Sequence, residues 1–178
     1  SLSESDYVKL INYHLENGTN GIVPGGTTGE SPTLSHNEHK KIIEIAVKEC
    51  KRKIPVVAGT GSNSTDEAID LSKFAEKAGS DALLIVTPYY NKPTQEGLYQ
   101  HYKKINDNVG IPILIYNIPS RSVINMNVDT MSKLYELKNI GGVKDATGDL
   151  SRVDQQLKAM GKDFIQLTGN DDNSLEFN

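Results

Sequence analysis

Lys144 ends a short apolar run in "IGGVKDATGD", residues 140–149, where two glycines and a valine lead into a charged side chain and an acidic, glycine-containing turn follows. A run this small and apolar belongs in a core, where an ammonium is costly unless it is paired or gives up its proton. Two readings fit. In one, the lysine closes a strand and extends its amine to solvent. In the other, desolvation lowers its pKa and the free amine attacks a ketone to form a Schiff base.

Three other groups of residues bear on that choice. "GGTTGE", residues 25–30, sets two hydroxyl residues between glycines, so that backbone N–H groups and Thr27 and Thr28 can converge on a carboxylate or phosphate; a tight strand-to-helix turn needs the same glycines. Tyr116 ends one apolar run and Tyr90 follows another. Their phenols, chained through a threonine hydroxyl such as Thr28, would pass protons, although a core tyrosine with a satisfied hydroxyl reads the same way. Arg121, in "YNIPSR", is an arginine close to these loops that would clamp a carboxylate bidentately or else lie solvated.

The elements that must position these residues alternate regularly. Six apolar runs read as strands buried on both faces: 20–25, 54–59, 81–87, 111–116, 139–144 and 163–169. Amphipathic helical stretches lie between them. Ser35 with Glu38 and Ser64 with Glu67 have capping-box spacing, and Gly79 and Gly161 mark helix ends. A further stretch follows Pro93, and the chain opens on a helix and closes on the first turns of another. The repeating strand–helix unit predicts a parallel sheet. An open doubly wound sheet should carry a nucleotide loop, but "GTGSNS" at 59–64 is not G-x-G-x-x-G and there is no G-K-[ST]. A (β/α)8 TIM barrel places its chemistry just beyond the strand ends, where the candidate residues fall. Six strands are two short of closure, so the expectation is a single domain over residues 1–178 that is an internal fragment of the barrel, lacking the first strand and the last strand with the final helices.

The totals restrict the function classes. In 178 residues, 37% hydrophobic and 24% charged side chains fit one soluble globular domain. A net charge of −4 with scattered basic residues argues against nucleic acid as a partner. The single cysteine, Cys50, excludes an internal disulfide and fits a reducing compartment. There is no apolar run of about 20 residues and no basic-then-apolar start, so a cytoplasmic location away from membranes is expected. No metal cluster or cofactor motif appears, and none is required if the lysine is the covalent catalyst.

"GGTTGESPTLSHNEH", "TPYYNKPTQEGLYQHY", "YNIPSR" and "GGVKDATGD", in order and in register along the whole chain, resemble the dihydrodipicolinate synthase (4-hydroxy-tetrahydrodipicolinate synthase) family, within the class I aldolases related to N-acetylneuraminate lyase. The resemblance implies that Lys144 forms a Schiff base with pyruvate and that Tyr116 is the acid/base group over the imine. Thr28 and Tyr90 would complete a proton relay, with Tyr90 lent across a tight dimer of a homotetramer. Thr27 and Thr28 would hold the pyruvate carboxylate, Arg121 would receive L-aspartate 4-semialdehyde, and Gly169 would line the site. The product would be the heterocycle that begins diaminopimelate and lysine biosynthesis. A lysine-inhibitor site is implied at Ser31, His36, His39, Asn63, Glu67 and Tyr89. Asp145, where glutamate is commoner, and Pro32, where a small residue is commoner, depart from the family pattern.

Two alternatives stay open. A retro-aldol lyase acting on a sugar acid such as N-acetylneuraminate would share the lysine but not need Arg121. A non-catalytic protein holding a small carboxylate would need no imine-forming amine.

Overall fold

The computed structural model describes residues 2–177. The chain runs through α1 (Glu4–Glu16), a 3-10 turn (Ser31–Thr33), α2 (His36–Cys50), β1 (Val57–Gly59), α3 (Thr65–Ala78), β2 (Ala82–Val86), α4 (Gln95–Asn106), β3 (Ile113–Asn117), α5 (Pro119–Ser122), α6 (Val128–Tyr135), β4 (Ile140–Asp145), α7 (Ser151–Met160), β5 (Ile165–Thr168) and α8 (Ser174–Phe177). All neighbouring strands pair in parallel, in the order β1-β2-β3-β4-β5. An order that advances one strand at a time without reversal is that of a TIM-barrel wall; a doubly wound sheet reverses at a switch point.

Among the described residues five strands form, not the six expected. The segment at 20–25 contributes only a parallel bridge, Ile22 to Val56. Its backbone still pairs alongside β1, with Val57 N donating to Ile22 O (2.9 Å) and Gly59 N to Pro24 O (2.8 Å). Pro24 has no N–H to give and Gly25 turns at φ 72°, which ends the pairing after one bridge. A second correction concerns β4, which ends on Asp145, not Lys144. A third concerns α6, which no helical pattern announced: it is eight residues long and starts from the Asn127 side chain, which accepts from Thr130 N.

Local signals and packing agree unevenly at the helix starts. Ser35 and Glu38 form the expected capping box on α2. Ser64 makes no side-chain cap on α3, because the Glu67 carboxylate accepts instead from the Ser62 hydroxyl and lies 3.0 Å from His36 Nε2.

β2, β3 and β4 are covered on both faces, but β5, at the edge of the sheet, leaves Ile165 and Leu167 about half exposed, contrary to the burial expected of that run. Alternate residues Leu83, Ile85, Ile113, Ile115 and Val143 pack under the helices with Leu98, Ile105, Met131 and Leu134. The intervening residues Leu84, Leu114 and Tyr116 pack with Ile118 and Ala146 on the opposite, inner face. This period-2 division puts Tyr116 and Lys144 on the inner face, while Asn117 and Asp145 face the helices. Among the described residues no helix is long and apolar enough to cross a membrane.

Candidate active site

The register of β3 and β4 pairs Tyr116 directly with Lys144. Lys144 Nζ lies 4.7 Å from the Tyr116 ring centroid, and Tyr116 is buried at 7% exposure. On its other side Lys144 pairs with Leu167 of β5. Burial pushes the Lys144 ammonium below the ordinary lysine range, opposed in part by the carboxylate of Asp171 in the loop after β5. A half-buried amine over a phenol ring near a strand end has the desolvation that a nucleophilic lysine requires, and is not a lysine reaching freely into water.

Two glycines in the sheet let the strands close around this lysine. A Cβ at Gly142 would run into the backbone carbonyl of Ile165, so the approach of β5 to β4 depends on glycine there. A Cβ at Gly169 would lie 2.5 Å from Ala146 Cβ and 3.4 Å from Lys144 Cε. Gly169 therefore borders the lysine stem, and its N–H is fixed by Asp145 O at 2.8 Å.

Beside this pair opens a cavity of about 410 Å³ lined by Thr27, His36, Glu67, Arg121 and their neighbours. Val86 and Ile118 line the cavity and also pack in the cluster containing Tyr116, which places the two regions side by side. Lys144, Tyr116 and Thr28 do not line it. The two threonines separate: Thr27 is half-buried in the cavity wall, whereas Thr28 is exposed on the turn. Tyr90 is 88% exposed at φ 71°, away from the Lys144–Tyr116 pair in this chain. Arg121, on α5, is exposed at the cavity.

The candidate inhibitor residues do gather. Ser31, His36, His39, Glu67 and Tyr89 share the cavity wall, and Asn63 adjoins through Nδ2 donating to Tyr89 O (3.3 Å). His39 Nε2 donates to Gly59 O (2.7 Å), and burial pushes its imidazole below the ordinary histidine range. Glu67 accepts from Ser62 and faces His36, leaving a cavity with one guanidinium, one carboxylate and two imidazoles.

A polar cluster behind the lysine had no signal in the sequence beyond an acid beside Lys144. Asp145 is 4% exposed and accepts from Arg152 Nε (2.8 Å), Gln156 Nε2 (2.9 Å) and Thr147 Oγ1 (2.6 Å). Burial alone would raise its pKa, but the Thr147 and Arg152 hydrogen bonds hold it below the usual carboxylate range. An arginine and an acid spaced by seven on a strand and the next helix carry no periodic signature, so nothing in the sequence singles out Arg152, whose Nε stands 2.8 Å from Asp145 Oδ2. Among the described residues no group of three or more His, Cys, Asp or Glu side chains is placed to hold a metal ion.

The sequence model of the dihydrodipicolinate synthetase family matches residues 1–177. A 4-hydroxy-tetrahydrodipicolinate synthase of Pelagibacter ubique is 73% identical over 172 residues, covering 97% of this chain and 59% of that protein. Among solved structures, a chloride-inhibited dihydrodipicolinate synthase from Acinetobacter baumannii, complexed with pyruvate, superposes with a TM-score of 0.97 at 46% identity, covering 99% of this chain and 61% of that one. A dihydrodipicolinate synthase from Cyanidioschyzon merolae with lysine bound gives a TM-score of 0.95 at 38% identity, over 98% of this chain and 60% of that one. The chain thus spans about 60% of the length of the relatives it matches.

Proposed function

Because the chain belongs to the dihydrodipicolinate synthetase family, we propose that it forms the lysine-bearing part of a synthase that joins pyruvate to L-aspartate 4-semialdehyde through a Schiff base on Lys144. The observation that carries this reading is the half-buried Lys144 amine 4.7 Å from the Tyr116 ring at the C-terminal end of a parallel sheet. The relatives supply the substrate class: one is a pyruvate complex.

In the proposed reaction the Lys144 amine adds to the pyruvate ketone, and loss of water gives the imine. Removal of a C3 proton turns the imine into an enamine, whose C3 attacks the aldehyde carbon of the second substrate while the resulting alkoxide takes up a proton. The amino group of that substrate then displaces Lys144 from the imine carbon, closing the ring of 4-hydroxy-tetrahydrodipicolinate and restoring the free amine. Tyr116 is assigned the proton transfers at the imine, being the phenol packed on the lysine. The relay hydroxyl expected at Thr28 is assigned instead to Thr27, the half-buried one of the pair, and Thr28, exposed on the turn, is kept for the pyruvate carboxylate. Arg121 is assigned the carboxylate of the second substrate, and Gly169 the wall beside the lysine.

The exposure of Tyr90 supports a place in a partner's site within a homo-oligomer. The cavity around Glu67 and His36 is proposed to take lysine, its carboxylate answering the amino group; calorimetric titration with L-lysine should give saturable heat that Glu67→Thr abolishes. An assay of the intact protein with both substrates tests the main reading: heterocycle formation dependent on each substrate supports it. Cleavage of N-acetylneuraminate without heterocycle formation would refute it in favour of the sugar-acid lyase.

A further inference from the structure

The loop that carries Arg121 leaves the sheet at Asn117 and returns to it. Asn117 is fully buried, follows Tyr116 in β3 and pairs in register with Asp145. Its Nδ2 donates to Asn125 Oδ1 (2.9 Å), and its Oδ1 accepts from Met126 N (3.0 Å). From α7, Arg152 Nη2 donates to Met126 O (2.9 Å) while its Nε holds Asp145. From α4, Gln95 Nε2 donates to Asn125 O (2.9 Å) and Gln95 Oε1 accepts from Asn127 N (3.1 Å). Three side chains on three elements therefore grip successive peptide groups of 125–127; one of them, Asn117, is the neighbour of Tyr116, and another, Arg152, holds the neighbour of Lys144.

Between these anchor points the loop is under local constraint. Ser122 Oγ bonds back to Ile118 O (2.9 Å), and Val123 is held at φ 66°, a left-handed backbone that a β-branched residue adopts only when its surroundings impose it. The strained residue lies two positions from Arg121, so release of the anchors would let Val123 relax and turn the guanidinium away from the cavity.

We infer that Asn117, Gln95 and Arg152 are positioning residues that fix the Arg121 loop and thereby set the affinity for the carboxylate of the second substrate. The inference rests on the proposed pyruvate-dependent reaction. It separates the two substrates through Gln95: pyruvate is held at Lys144 and the threonine turn, which Gln95 does not touch, whereas the aldehyde substrate depends on the loop that Gln95 grips.

The test uses Gln95→Ala, a half-buried change at a helix start that the fold should tolerate, and Asn117→Ala, in the intact protein. Steady-state constants for each substrate are measured beside borohydride trapping with pyruvate alone. The expected result is a KM for L-aspartate 4-semialdehyde raised about tenfold in each folded variant, with the rate of trapping by pyruvate and its KM within about twofold of the parent in Gln95→Ala. An unchanged aldehyde KM in Gln95→Ala, or a parallel fall in pyruvate trapping, would overturn the inference. Absence of trapping in the unsubstituted protein would instead remove the proposed reaction itself, an outcome visible before any variant is made.

Discussion

Replacing Gly169 with alanine tests whether β5 closes against Lys144 as described. The new methyl would lie 2.5 Å from Ala146 Cβ, where carbon atoms in ordinary contact keep about 3.5–4.0 Å. Neither methyl group can rotate away, so about 1 Å must come from the backbone of the β5 end or of the residues after β4. Overpacking of this size costs about 1–3 kcal/mol, which in a chain this long is a fall of about 2–12 °C in Tm. The same movement reaches the lysine, since the added Cβ stands 3.4 Å from Lys144 Cε and Gly169 N is bonded to Asp145 O. A displacement of about 1 Å at a reacting group is worth about 100-fold in rate. The assay is timed borohydride quenching of the pyruvate imine, with thermal unfolding alongside. A variant with the parent Tm would refute the packing argument. A variant with a lowered Tm and the parent trapping rate would refute the coupling of Gly169 to the lysine.

Thr27→Val should cost more turnover than Thr28→Val, by about tenfold or more, because Thr27 is in the cavity wall and Thr28 is exposed; equal losses in the two kcat values would count against it. Imine formation should rise with pH and level off below the ordinary lysine value of 10.5, since burial lowers the Lys144 pKa; a rate still climbing beyond that value would contradict the site's desolvation. His101 is buried, its Nδ1 pairs with Thr65 Oγ1 (2.9 Å), and burial pushes its pKa from 6.5 down to about 4. The folded pKa is the lower one, so the neutral ring's stability is complete above pH 6.5 and drains as the pH falls towards 4, by about 3 kcal/mol. Denaturant unfolding of the parent and of His101→Gln should show the gap between them shrinking or reversing on acidification, and a constant gap would refute it.

What the sequence made legible was local or repeated. Ser35 and Glu38 cap α2 because both partners lie within one turn, and the alternation of apolar runs with helical stretches announced the parallel sheet. Glu67 shows the limit: its spacing to Ser64 promised another cap, but His36, on a different helix, and Ser62, on the preceding loop, hold its carboxylate. The strand at 20–25 had the right composition and too few N–H donors to build a ladder. Lys144 could be picked out by its odd company, yet its contact with Tyr116 follows from the register of β3 on β4, which no short window contains. The Asp145–Arg152–Met126–Asn117 connection was least visible, since one of its hydrogen bonds reaches 26 positions along the chain and ends on a backbone carbonyl, which no side-chain pattern announces.

The proposed reaction stands on Lys144 as its covalent nucleophile. Borohydride reduction of the intact protein in the presence of pyruvate, followed by mass spectrometry of its peptides, tests it most directly. A reduced pyruvyl adduct is expected on the peptide containing Lys144, absent when Lys144 is replaced by methionine. An adduct on another lysine, or none at any pH at which the protein stays folded, would contradict it.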